Sequence, residues 1–272
     1  MNERSFHWGP LLQGGPLFIG ILNLTPDSFS DGGRFLDPDA ALAQAQELVR
    51  AGARMLDLGA ESTRPGAVAV DTATEWQRLE PVISGLVGTM PNLPLSLDTR
   101  HAEVAAKGLA QGVSVINDVT GFSDPAMLAL ARTSTCGLIA MRSRRLGPGF
   151  HMPPYDDPAP KGAVEAIHEL RAVRDRLHGA GIPTDRVLLD PGFGFGTTFQ
   201  EDRALWEALP GLPAALDWPV DRICTGTSRK RFLATRAGVP DLPPVQRDGL
   251  TRAAHAEAIE WGYRVFRTHA MG

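Results

Sequence analysis

The feature that most limits how this chain can fold is a repeat of pattern rather than of residues. Short β-prone runs alternate with Ala/Leu/Glu/Arg-rich stretches of helical spacing, and polar loops join them. The runs fall at 17–22, 54–58, 95–97, 114–116, 137–141, 187–189, 222–225 and 263–267. Their polar exits recur about every 35 residues, which suits one strand plus one helix. Helices are expected between them at 38–51, 72–86, 101–111, 125–132, 159–179, 201–209 and 248–261. Asp37-Pro38 supplies a capping side chain followed by proline at the first helical position, and Gly52, Gly112 and Gly181 stand where helices should stop. Eight strands with seven intervening helices predict an α/β fold, a (β/α)8 barrel (TIM barrel) that takes residues 1–272 as a single domain. An open doubly wound sheet competes, but it needs a glycine-rich dinucleotide loop after its first strand, and ILNLTPDSFSDGG is not one. The opening FHWGPLLQGGPLF reads as an N-terminal β-hairpin covering one end of the barrel. Only Thr268, His269, Ala270, Met271 and Gly272 follow the eighth run, so the barrel is expected to lack its final outer helix.

Composition narrows the function. With 43% hydrophobic and 21% charged residues, 272 residues can bury a sizeable core, which excludes a disordered chain. A formal net charge of −4 offers no positive field to nucleic acid or an anionic membrane. No run approaches the ~18 apolar residues of a membrane span, and the N-terminus has no apolar leader. A cytoplasmic protein without nucleic-acid or membrane partners is the expectation. Cys136 and Cys224 lie in apolar runs and read as buried thiols.

The polar residues track the strand exits. Asn23 follows the first run, Asp57 ends the second, Asp98 follows the third, and Asn117 with Asp118 follows the fourth. Asp190 follows the sixth, Thr227-Ser228-Arg229-Lys230 the seventh, and Arg267 with His269 marks the eighth. Active sites of such barrels sit at the C-terminal rim, where each strand end projects a loop over a shared mouth. One aspartate at a strand end is explained well by helix capping, but a whole ring of polar exits is not. Asp98, Asn117 and Asp190 combine carboxylate and amide groups, and Lys230 adds donors, as a flat nitrogenous ring requires. Arg64, Arg267 and His269 bring positive charge, and the ESTRPG turn with Ser62 and Thr63 can present backbone N–H groups to phosphate. No His/Cys cluster has zinc spacing, whereas a hard cation such as Mg²⁺ held by phosphate needs a single protein oxygen, for which Asn23 is the candidate. Lys230 stands out because the chain has three lysines against twenty-four arginines, so a compact ammonium is used where a guanidinium is otherwise preferred. DPGFGFG resembles a phosphate cradle but lacks a following lysine, which favours a backbone turn. Phe193 and Phe195, with Phe29 and Pro65, are candidate walls for an aromatic substrate or else core.

Taken together, GILNLTPDSFSDGG, LDLGAESTRPGA, SLDTR, INDVTG, LDPGFGFG, GTSRKRF and RTH resemble the dihydropteroate synthase family, in the family's order and from about residue 17 to 269. The resemblance implies a (β/α)8 barrel and a transferase of folate biosynthesis. The implied reaction joins p-aminobenzoate to 6-hydroxymethyl-7,8-dihydropterin diphosphate, giving 7,8-dihydropteroate and diphosphate. By motif position, Asp57, Asp98, Asn117, Asp190 and Lys230 resemble the pterin-binding set, and Asn23 the Mg²⁺ ligand. Thr63, Arg267 and His269 resemble the diphosphate set, and Arg64 lies with the loops 25–33 and 61–66 that close over p-aminobenzoate, the pocket that sulfonamides also occupy. Asp98, Lys230 and Arg64 are the residues to which catalysis is then assigned. The chain departs from the family pattern where Arg142 replaces a histidine, Thr197 a lysine and Ala270 an aspartate. The absent last helix belongs to the family's usual dimer interface, which makes a homodimer an open expectation. A pterin-binding paralogue without synthase activity and a methyltetrahydrofolate-dependent methyltransferase are the competing readings. The methyltransferase gives no reason for the SRK and RTH groups.

Overall fold

Buried strands with apolar residues on both faces require cover on both sides, and here the cover outside is helix and the cover inside is the sheet itself. The computed structural model describes residues 5–25, 37–61, 69–143 and 162–271. Its strands are β1 (Leu17–Asn23), β2 (Met55–Gly59), β3 (Leu95–Asp98), β4 (Val115–Asp118), β5 (Gly137–Met141), β6 (Val187–Asp190), β7 (Cys224–Thr225) and β8 (Val265–Thr268). All pair in parallel in the order β6-β5-β4-β3-β2-β1-β8-β7. A parallel bridge between Leu189 and Ile223 brings the two ends of that series together, so the sheet closes into a barrel.

The expected helices lie between the strands, at Pro38–Arg50, Thr72–Thr89, Ala102–Ala110, Pro125–Thr133, Ala163–Gly179, Phe199–Ala208 and Asp248–Glu260. Their starts are chemically marked. Asp37 accepts from the Asp39 N–H, Asp71 from Thr74, and Asp124 from Ala126 and Met127, while Thr198 and Glu201 form a reciprocal capping box. Two short helices, Leu212–Leu216 and Arg231–Arg236, were not anticipated from the pattern. No helix follows β8 among the described residues, and none of the described helices is long and apolar enough to cross a membrane.

The expected N-terminal hairpin is corrected. Residues 5–16 contain no strand, and GPLL forms one helical turn, Gly9–Leu12, with proline near its start, where the missing N–H costs nothing. Gly14 and Gly15 then turn the chain into β1 with φ of +86° and +123°. The segment still covers one end of the barrel: Trp8 is fully buried, and its indole N–H donates to the Arg186 carbonyl at 2.9 Å.

Side chains alternate along each strand, so every second residue enters the lumen. Near the N-terminal end Leu17, Ile19, Met55, Val115, Ile139, Leu188, Cys224 and Val265 form one apolar cluster with Trp8. The opposite faces of the strands pack under the helices in two larger clusters, around Phe193, Trp206 and Phe232 on one flank and around Leu56, Leu79 and Ile83 on the other. Along the lumen face of four strands, a step of two residues toward the C-terminal end exchanges the apolar layer for Asp57, Asn117, Asp190 and Arg267, and on β3 Asp98 follows Ser96 in the same way.

Candidate active site

The polar layer is built by register. Asp98 pairs with Asn117 across β3 and β4, Gly59 with Asp98 across β2 and β3, and Met141 with Asp190 across β5 and β6. Asp57 lies in the middle of β2 rather than at its end, and reaches the same layer from deeper in the barrel. Arg267 of β8 ties the layer together, since its Nε donates to Asp57 Oδ2 and its Nη2 to Asp98 Oδ2, both at 2.5 Å. Asn117 Nδ2 donates to the same Asp57 oxygen at 2.9 Å. Burial works against the Arg267 charge, but Asp57 and Asp98 more than offset it and keep the guanidinium protonated.

Burial dominates the two carboxylates that face the mouth. It pushes Asp98 up to about 7 despite Arg267, with Asp57 adding like-charge repulsion. Asp190 is pushed up to about 6 by burial, held back by a hydrogen bond from the Gly192 N–H and by Arg267, Lys230 and Arg142. Room for Asp190 comes from Gly226, where a Cβ would lie 3.1 Å from the carboxylate Oδ2. Asp118, next to Asn117, turns away from the layer and accepts from Thr120 and Phe122 backbone N–H groups, so it shapes the loop after β4.

The motif after β7 divides its side chains. Arg229 has a left-handed φ of 58° and forms a two-pronged ion pair with Asp248, anchoring the helix Asp248–Glu260. Lys230 faces the other way, with its ammonium 4.2 Å from the centroid of the Phe195 ring. Burial lowers Lys230 to about 8, while Asp202 and Asp190 favour its charged form. Ser228 accepts from the His269 backbone N–H at 3.0 Å, and its hydroxyl lies 3.1 Å from His269 Nδ1. His269 was expected to add positive charge. Burial, then the cations Arg229, Arg267 and Lys230, push it down to about 3, so the ring is neutral near pH 7.

The glycine loop after β6 is a backbone turn. Gly192, Gly194 and Gly196 have φ of +71°, +71° and +69°. Two of its N–H groups are used internally, Gly192 toward Asp190 and Gly194 toward Asp202 Oδ1 at 3.0 Å. Asp202 is a functional neighbour that the sequence reading missed. It is buried, accepts from the Thr197 hydroxyl at 2.6 Å, and supplies negative charge close to Lys230. Only its position four residues past a capping Thr, on a helix face that should be apolar, could have flagged it. Phe193 belongs to the core, stacked on Phe232 at 5.3 Å, and Phe195 alone of that pair meets the polar layer.

Asn23 ends β1, half-buried and paired with Gly59, and so stands at the same rim. Thr63, Arg64, Ser62, Pro65 and Phe29 lie outside the described residues. The ends of the ESTRPG segment are described: Glu61 accepts from the Val70 N–H at 3.0 Å and from Arg100 through two nitrogens at 2.9 and 3.0 Å. Among the described residues no group of three or more His, Cys, Asp or Glu side chains could hold a metal alone.

A family model described as "Pterin binding enzyme" matches residues 19–269. The chain belongs to this pterin-binding family and, within it, to the dihydropteroate synthases. A dihydropteroate synthase of Neisseria meningitidis serogroup C is 38% identical over 258 residues, which cover 93% of this chain and 87% of the relative. A solved dihydropteroate synthase of Xanthomonas albilineans with 4-aminobenzoic acid is 38% identical, with a TM-score of 0.81, over 94% of this chain and 88% of that one. A structure of the Xanthomonas enzyme in complex with 7,8-dihydropteroate is 35% identical, with a TM-score of 0.77 over the same shares of the two chains.

Proposed function

We propose that this dihydropteroate synthase barrel binds the pterin ring between Asp98, Asn117, Asp190 and Lys230, and couples its methylene carbon to the amine of p-aminobenzoate. The observation that carries the reading is the polar layer itself. A buried carboxylate, a half-buried one, an amide and an ammonium, drawn from four different strand exits, line one mouth over an apolar lumen. A pterin has ring N–H and amino donors for the carboxylates, and ring nitrogen and carbonyl acceptors for the amide and the ammonium.

In the coupling, the bond from the methylene carbon to the diphosphate oxygen breaks and a carbon–nitrogen bond forms. The amine loses one proton. No nucleophile from the protein is needed. The ionised carboxylates of the layer favour positive charge developing on the methylene, and their fixed positions require no reorganisation. Arg267 holds Asp57 and Asp98 in place, and the Ser228 hydroxyl with the neutral His269 ring offers hydrogen bonds to diphosphate at the β7 and β8 exits. Asn23 would contribute an amide oxygen to Mg²⁺ carried mainly by diphosphate, which is the donor chemistry a hard cation prefers. When bound, the ion neutralises leaving-group charge. Thr63 and Arg64 are assigned to diphosphate and p-aminobenzoate through their motif alone. Such a site is open to competition by sulfonamides, which mimic the amine substrate.

Diphosphate release tests the reading. Release is expected when pterin diphosphate, p-aminobenzoate and Mg²⁺ are all present, and not when p-aminobenzoate is left out. Pterin binding without release would instead identify a non-synthetic paralogue.

A further inference from the structure

The rim holds one buried charge that the reaction above leaves unused. Arg142 follows β5 directly and is 1% exposed, a costly place for a guanidinium, and two of its three nitrogens are engaged while the buried Nη2 has no hydrogen-bond partner among the described residues. Its Nε donates to the Pro191 carbonyl at 2.8 Å, and its Nη1 to Glu169 on the helix Ala163–Gly179 at 2.7 Å. Its backbone N–H donates to the Asp190 carbonyl at 2.9 Å. The fit is close on the other side too, because a Cβ on Gly192 would come within 1.9 Å of the Arg142 carbonyl oxygen.

The Nε contact falls on the peptide unit that holds Asp190. The Pro191 carbonyl that accepts from Arg142 belongs to the same peptide unit as the Gly192 N–H, which donates to Asp190 Oδ1 at 2.8 Å. A peptide unit is rigid, so pinning its oxygen pins its N–H. A cationic donor on the oxygen also polarises the N–H and strengthens the bond it makes. We propose that Arg142 is a positioning residue for Asp190: through the Pro191–Gly192 peptide it fixes and polarises the N–H that holds this carboxylate toward the pterin. The proposal deepens the site reading above and rests on it for the ligand. Arg142 is also where this chain departs from the histidine of the family pattern.

Asp190 faces Arg142 from β5, Lys230 from the loop after β7, Arg267 from β8 and the Cys224 thiol of β7, so its titration reports the whole surround. The test follows the Asp190 carboxyl carbon and the Gly192 amide by NMR in the full chain, with Asp190→Asn for assignment. In Arg142→Gln the Asp190 midpoint is expected to rise by roughly one pH unit, since a nearby cation is lost. In Arg142→Lys, which keeps charge but not the planar fork, the midpoint should stay while the Gly192 amide proton moves upfield. The KM for pterin diphosphate should rise about tenfold in Arg142→Gln, with the KM for p-aminobenzoate unchanged. If Arg142→Lys, or a folded Arg142→Gln, leaves both the midpoint and the amide where they are in the unaltered chain, Arg142 is only a brace for the helix and the proposal fails. Should the unaltered protein show the coupling yet bind no pterin, the pterin reading fails and the coupling stands.

Discussion

The floor and the mouth of the barrel lumen are one two-residue step apart on the same strands, yet they follow opposite rules. At the floor, Met55, Val115, Leu188 and Val265 pack around Trp8, and the buried Arg186 beside them donates to the backbone carbonyls of Ala131 and Cys136. At the mouth, Asp57, Asn117, Asp190 and Arg267 stand two residues further along those strands, and burial opposes the ionised forms of both Asp98 and Asp190. The floor is arranged for stability and the mouth for binding charge, with stability given up at the mouth. That contrast explains how one sheet can be both a core and a site.

The contrast can be broken most severely at Arg267. Arg267→Met leaves Asp57 and Asp98 buried without their shared cation, so a loss of about 3–5 kcal/mol in urea unfolding is expected, together with loss of synthase turnover. At the floor, Trp8→Ala should cost about 3 kcal/mol by the same measurement, but leave kcat per folded molecule unchanged. A fall in kcat there would show that the two layers are not independent.

The smallest effect sharpens the contrast through pH. Asp98→Asn should lower kcat/KM about 100-fold, a loss of about 2.7 kcal/mol in transition-state binding. Because burial raises Asp98 to about 7, the folded chain holds that proton more tightly than the unfolded one. Its contribution to stability is therefore present at low pH and lost as pH rises from about 4 through 7. Stability measured against the unaltered protein should thus shift in favour of Asp98→Asn between pH 5 and pH 8, roughly the span of that titration. Pterin affinity should follow the complementary profile. It falls below about 7 and about 6 as Asp98 and Asp190 take up protons, and above about 8 as Lys230 loses its own.

Much of this was legible in the chain because its signals are local. Asp37-Pro38 and Asp124-Pro125 start helices through contacts within a few residues, and both starts were placed correctly. Asn23, Asp98, Asn117 and Asp190 were legible because each directly follows an apolar run. The hairpin failed for the converse reason: FHWGPLLQGGPLF has turn residues and apolar residues in plenty, but a strand needs a partner edge, and β1 is already flanked by β2 and β8. Asp202 was hidden because it is separated from its partners by a turn and looks like an ordinary first-turn acid.

Strand and helix order, the parallel closed sheet, and the family were determined by the sequence alone, since periodicity, capping and contiguous motifs are properties of neighbouring residues. Tertiary structure decided which charges meet. Arg267 and Asp57 are 210 residues apart in the chain and 2.5 Å apart in space, and His269 is neutral because distant cations and burial surround it. Burial and long-range electrostatics depend on what the closed barrel brings together, and no local pattern encodes them.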